Sequence, residues 1–223
     1  VEAMYGVWWG SLAAVPANAK LHGAEFRYIL ENSGARACIV GPELLATIAE
    51  HRPDSLEHLI VLGSDAYAAL FDADKAPLAE VDVDDLAWLF FTSGTTGRPK
   101  GAMISHQNIK SNAVTLSKYW KWTKEDVLLH SLPIFHIHGL FVASHLPVMN
   151  GSPIIFCDRF DPKQVILSLP KSTVYMGVPT NYTRLLSRPE LNHRSCRNMR
   201  LFISGSAPLK VSTFEAFKLR TGH

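Results

Sequence analysis

Cysteine is scarce in this 223-residue chain, with three residues at Cys38, Cys157 and Cys196. They are odd in number, widely spaced and contain no Cys-x2-Cys pair. That argues against a disulfide framework and a zinc site, and for a reducing, intracellular setting. A cytoplasmic location is expected, and an organelle stays open. Charge of one sign is also lacking: 22 basic against 20 acidic residues leave a net charge of +2. Such a balance does not argue for nucleic acid or for an acidic membrane surface. No apolar run approaches the roughly 18 residues that span a bilayer. The opening Val1-Glu2-Ala3-Met4 has neither a basic leader nor an initiator methionine, which suggests a truncated sequence. Internal repeats and low-complexity tracts are missing too. What is present, 47% hydrophobic content, suffices to bury a sizeable core.

Residues 2–14 read as a packed helix. Phe26, Ile29 and Leu30 recur at helical spacing in a second helix, which Ser33-Gly34 ends. Ala37–Val40 and Leu59–Leu62 are candidate strands around a helix near Glu43–His51, a β-α-β rhythm. Ser64–Asp85 has no clear periodicity and reads as a surface connection. Further on, Ser105 is a candidate N-cap for a helix through about Trp120. Strands at Val127–Leu132, Pro153–Phe156, Thr173–Gly177 and Arg200–Ser204 alternate with helices at His138–Met149, Asp161–Leu169, Thr180–Ser187 and Leu209–Leu219. The alternation predicts a doubly wound, mainly parallel α/β sheet with flanking helices.

The chain is organised around Phe91-Thr92-Ser93-Gly94-Thr95-Thr96-Gly97-Arg98-Pro99-Lys100-Gly101. It leaves an apolar strand, Leu86–Phe91, and re-enters one at Gly101–Ile104. Glycines let backbone N–H groups approach an anion. The hydroxyls of Thr92, Ser93, Thr95 and Thr96 add donors, and Lys100 adds a mobile positive charge suited to phosphate. The Walker pattern fails here, because Pro99 stands where its second glycine belongs and Gly101 where it needs Ser or Thr. A P-loop kinase or GTPase is set aside on that ground. The stretch instead resembles the signature loop of the adenylate-forming (acyl-CoA synthetase, AMP-binding) superfamily.

Two further motifs strengthen the resemblance. In Pro133-Ile134-Phe135-His136-Ile137-His138-Gly139-Leu140, His136 matches the family's aromatic/His gate between ATP and the acyl pocket, and His138 falls where that pocket begins. The corners Gly177–Leu186 and Gly205-Ser206-Ala207-Pro208 match the family's acyl-pocket walls, and the second also approaches the adenine. A guanidinium is a poor neighbour for an alkyl tail but a bidentate partner for a carboxylate. With Arg184 and Ser206 in these walls, the chain resembles the malonyl-CoA synthetases, whose equivalents hold the substrate's second carboxylate. If Arg184 is buried, a monocarboxylate leaves it unpaired at a cost of roughly 3–5 kcal/mol. Arg188, Arg194, Arg197 and Arg200 are expected to face solvent.

The resemblance implies an acid–thiol ligase that is active when full length. A small dicarboxylate, malonate or methylmalonate, attacks the α-phosphorus of ATP; coenzyme A then displaces AMP to give the thioester. Thr92 to Gly97 and Lys100 would hold phosphates and Mg²⁺ would bridge phosphate oxygens, with no protein metal ligand named. His136 and Lys100 are the catalytic candidates. Cofactor-binding candidates are Thr92, Ser93, Gly94, Thr95, Thr96, Gly97, Lys100, Gly205, Ser206, Ala207 and Pro208. Substrate candidates are Arg184, Ser206 and His138. Residues 1–223 read as part of the large N-terminal domain, with subregions 1–85 and 86–223 and without the small C-terminal domain, so the piece alone is expected not to turn over. Small molecules rather than nucleic acid are the expected partners. Alternatives are a short-chain monocarboxylate or general acyl-CoA ligase, and a non-catalytic nucleotide-binding module.

Overall fold

In the computed structural model, which describes residues 1–92 and 98–223, the first helix α1 spans Glu2–Trp9. It is shorter than the expected 2–14 because Ala14 joins a strand. Ala14 N–H donates to Ala87 O and Leu89 N–H to Ala14 O, each at 2.9 Å. Helix α2 (Gly23–Ser33) is capped at both ends. His22 Nδ1 accepts from Ala24 N–H, Glu25 accepts from His22 N–H, and Gly34 at φ 65° supplies the left-handed stop. Strand β1 (Ala37–Val40), helix α3 (Leu45–Glu50) and strand β2 (His58–Val61) follow, with the strands paired in parallel. Phe26 and Leu30 pack on Val40, Ile48 and Leu56. The 64–85 connection is not irregular throughout: Ser64 Oγ accepts from Tyr67 N–H at 3.2 Å and starts α4 (Asp65–Asp72). Its Leu70 and Phe71 are exposed, so burial leaves no helical period to read.

Strands β3 (Leu86–Thr92) and β4 (Lys100–Ser105) form an antiparallel hairpin in which Thr92 faces Lys100. Its base is fixed by Trp88, fully buried, with the Trp8 ring 4.9 Å away. Ser105 caps α5 (His106–Tyr119) as expected, accepting from Asn108 N–H at 3.3 Å. The chain divides into two units, Val1–Ile109 and Lys110–His223; the 85/86 subdivision falls inside the first.

In the second unit, β5 (Leu128–His130) precedes a π-helical segment, His138–His145, that runs into α6 (Leu146–Asn150). Then come β6 (Ile154–Phe156), α7 (Pro162–Ser168), β7 (Val174–Gly177), α8 (Pro179–Leu186), β8 (Leu201–Ser204) and α9 (Val211–Thr221). The four strands are parallel in the order β6-β5-β7-β8. Successive strand residues point to opposite faces. Leu128, Val174 and Met176 pack with Ala113, Ala143 and Leu146 on one side. Leu129 and Tyr175 pack with Val165, Leu185 and Phe217 on the other. Helices cover both faces, which is the doubly wound α/β architecture. Strand order reverses at β5, and ligands in such sheets bind beyond the carboxyl ends at the reversal.

Arg200 departs from expectation. Part of it is exposed, but Nε and Nη2 donate to Asp126 at 2.6 and 2.5 Å, and Nη1 to Trp120 O at 2.9 Å. Asp126, 3% exposed, also accepts from Thr173 Oγ1 and Thr123 N–H.

Candidate functional site

The hairpin register puts Thr92 and Lys100 side by side where β3 and β4 part, both exposed, with Thr92 Oγ1 3.5 Å from Lys100 O. A hydroxyl and an ammonium at one loop mouth fit a phosphate. Ser93, Gly94, Thr95, Thr96 and Gly97 lie outside the described residues. The returning arm is fastened to α2. Tyr28 O–H donates to Pro99 O at 3.0 Å, and the Arg98 guanidinium lies 5.8 Å over the Tyr28 ring. Among the described residues, no group of three His, Cys, Asp or Glu could hold a metal ion.

In the second unit, the segment from β5 to the π-helical turn folds into a tight arch. A Cβ on Gly139 would lie 2.1 Å from Pro133 O, so only glycine fits. His136 is exposed on the arch, its ring 4.3 Å from that of Phe135. His138 is half-buried, and desolvation pushes its imidazole below the usual histidine range, favouring the neutral form. Its Nδ1 lies 3.2 Å from Ser206 Oγ. Ser206 holds a left-handed backbone at φ 68°, uncommon for a residue with a Cβ and a form of strain that gathers at functional sites. Gly205 permits the approach, since a Cβ there would lie 2.8 Å from His138 Cε1. Gly205 N–H donates to Gly177 O at 3.1 Å and ties the β7 and β8 corners together.

A cavity of about 350 Å³ opens beside this pair. Leu116, Trp120, Ile137, Val142 and Ile203 line it, with His138 and Ser206 among its polar members. His136, Ala207 and Pro208 are exposed and outside its lining. Arg184 is exposed too, with its guanidinium 4.8 Å over the Phe160 ring. Among the described residues it hydrogen-bonds neither Ser206 nor His138 in its side chain. The condition of a buried Arg184 is therefore not met: the guanidinium is exposed and stacked on Phe160, and the roughly 3–5 kcal/mol discrimination does not attach to it.

Sequence reasoning passed over His130 and Ser144, both buried behind the arch. A histidine closing a strand three residues before the motif's proline was the available signal. The apolar wall from α5 and the turn after it was missed because Leu116 and Trp120 look like ordinary core.

A profile of the family described as "AMP-binding enzyme" matches residues 1–223. The chain belongs to the AMP-binding enzyme family. It is 33% identical over 245 residues to a mitochondrial malonate–CoA ligase of Homo sapiens, covering 100% of this chain and 42% of that one. It is 37% identical over 142 residues to a long-chain-fatty-acid–CoA ligase of Bacillus subtilis, covering 62% and 25%. The crystal structure of ATP-bound MatB from Rhodopseudomonas palustris superposes with a TM-score of 0.93 at 37% identity, covering 99% of this chain and 45% of that one. The chain thus spans less than half the length of these relatives. Among the described residues no helix is long and apolar enough to cross a membrane.

Proposed function

We propose that the protein activates a small dicarboxylate, malonate or methylmalonate, with ATP and passes the acyl group to coenzyme A inside the cell. The observation that carries this reading is the His138–Ser206 pair, 3.2 Å apart beside the cavity. With its proton on Nδ1, neutral His138 donates to Ser206 Oγ and leaves the hydroxyl proton free for a substrate carboxylate. Arg184 would add a charged donor after leaving Phe160. Thr92, Ser93, Gly94, Thr95, Thr96, Gly97 and Lys100 would hold the phosphates. Gly205, Ser206, Ala207 and Pro208 would border the adenine, and His136 the α-phosphate. Mg²⁺ would rest mainly on phosphate oxygens. Positioning and charge neutralisation would supply most of the rate. In this reading residues 1–223 are part of the large domain, and turnover also needs segments that the longer relatives possess.

A second reading, a short-chain monocarboxylate ligase, is favoured by the cavity's apolar wall and by the stacked Arg184. ATP–pyrophosphate exchange by the full-length protein decides between them, with malonate tested beside acetate, propionate and octanoate. Malonate-led exchange supports the dicarboxylate reading, exchange led by a monocarboxylate replaces it, and no exchange moves the weight to a binding module.

A further inference from the structure

We infer that His130 is a positioning residue that sets the place of His136 and His138 by holding both ends of their arch on one imidazole. The inference rests on the adenylation reading for its functional consequence, but not for its geometry. His130 closes β5, beside the point where strand order reverses, and is 1% exposed. Leu132 N–H, at the start of the arch, donates to Nδ1 at 3.3 Å. That bond puts the lone pair on Nδ1 and the proton on Nε2. Nε2–H then donates to Gly139 O, at the arch's far end, at 2.7 Å. Ser144 Oγ donates to the same carbonyl at 2.9 Å and lies 3.2 Å from Nε2.

The π-helical turn makes this possible. Its wider winding sets Ser144 over Gly139, five residues earlier, so the Ser144 hydroxyl and the His130 imidazole reach the same carbonyl. The imidazole is itself fixed by the Phe156 ring, stacked at 4.9 Å. Its own carbonyl accepts from Cys157 N–H at 2.9 Å. Every polar atom of the ring is therefore committed to the loop, and none points at a substrate. Between Leu132 and Gly139 lie His136 and His138, so a change in the imidazole moves both arch ends and the histidines between them.

Three variants of the full-length protein separate positioning from folding. His130→Phe keeps a ring against Phe156 but removes both polar contacts. His130→Gln can restore the donor to Gly139 O, and His130→Asn the acceptor for Leu132 N–H. Displacing a reacting group by about 1 Å costs on the order of 100-fold. Malonate-driven ATP–pyrophosphate exchange in His130→Phe should therefore lose about that factor in kcat. KM for ATP should change little, and His130→Gln should recover part of the loss. The ring ¹³C–¹H NMR signals of His136 and His138 should shift in His130→Phe and return toward wild type in His130→Gln. A wild-type protein without exchange would refute the adenylation reading and leave the NMR signals to decide this one. Unmoved His136 and His138 signals in folded His130→Phe, or a kcat equal to wild type, would overturn the inference.

Discussion

Replacing Arg184 with alanine separates a carboxylate reader from a surface cation. In the free protein its guanidinium stacks on Phe160 at 4.8 Å and is exposed, a contact of about 0.5–1 kcal/mol. Stability should therefore fall by no more than about 1 kcal/mol. A charge-assisted hydrogen bond to a carboxylate is worth about 1.5–3 kcal/mol. Subtracting the stack that must be broken leaves about 1–2 kcal/mol, or a loss of about 5–30-fold in kcat/KM for malonate. Propionate, with no second carboxylate, should be unaffected. Phe160→Ala, which removes the competing ring, should improve malonate KM by about 2–5-fold, the worth of the stack. The assay is steady-state acid-dependent exchange by the full-length protein with both acids. Equal losses on malonate and propionate, or none on either, would refute the role of Arg184 and favour the monocarboxylate reading.

Four more outcomes follow from individual contacts. Arg200→Ala should cost about 2–4 kcal/mol in denaturant melts, below the 3–5 of a fully buried pair because Arg200 keeps 37% of its side chain exposed. Burial pushes the Asp126 carboxyl up, but hydrogen bonds from Arg200, the Thr123 amide and Thr173 outweigh it and hold it below the usual range. Its stabilisation is therefore complete above its unfolded pKa of about 3.9 and lost as pH falls through the lower folded value, so acid should lower wild-type Tm more than that of Arg200→Ala. Gly205→Ala should push the His138 ring off Ser206, shifting the imidazole NMR signals and lowering malonate-driven exchange about 10-fold with little change in Tm. Tyr28→Phe removes the bond to Pro99 O and should raise KM for ATP by about 2–10-fold, and an unchanged KM would detach this anchor from nucleotide binding.

The parts legible in the sequence are those fixed by local chemistry. Gly34 ends its helix because a left-handed stop needs no tertiary partner, and Ser105 caps its helix because it reaches only three residues ahead. Strands alternating with helices along residues 127–219 implied a parallel sheet with helices on both faces. The illegible parts depend on residues that meet only in the folded chain. Arg184 stacks on Phe160 from a loop 24 positions earlier, and no spacing near Arg184 foretells it. Arg200 meets Asp126 across 74 positions, so it read as one more surface arginine. The π-helical turn differs from an α-helix by one residue per turn, too little to change composition.

His138 and Ser206 show where the two kinds of information join. Each was singled out from its own motif, 68 residues apart, and the resemblance alone put both in one wall. The fold adds the reason they meet. β7 lies between β5 and β8, and Gly205 N–H on Gly177 O brings the β8 corner level with that of β7. A glycine at 205 then leaves room for the imidazole, and the backbone of Ser206 takes the strained conformation that aims its hydroxyl at Nδ1. The strain, of order 1–3 kcal/mol, is comparable to or larger than the roughly 0.5–1.5 kcal/mol net worth of the hydrogen bond it makes possible. Strain of this kind gathers at functional sites, so under the proposed reading this pair, rather than exposed Arg184, is where a substrate carboxylate is expected to bind first, and Ser206→Ala should lower malonate-driven exchange more than Arg184→Ala does.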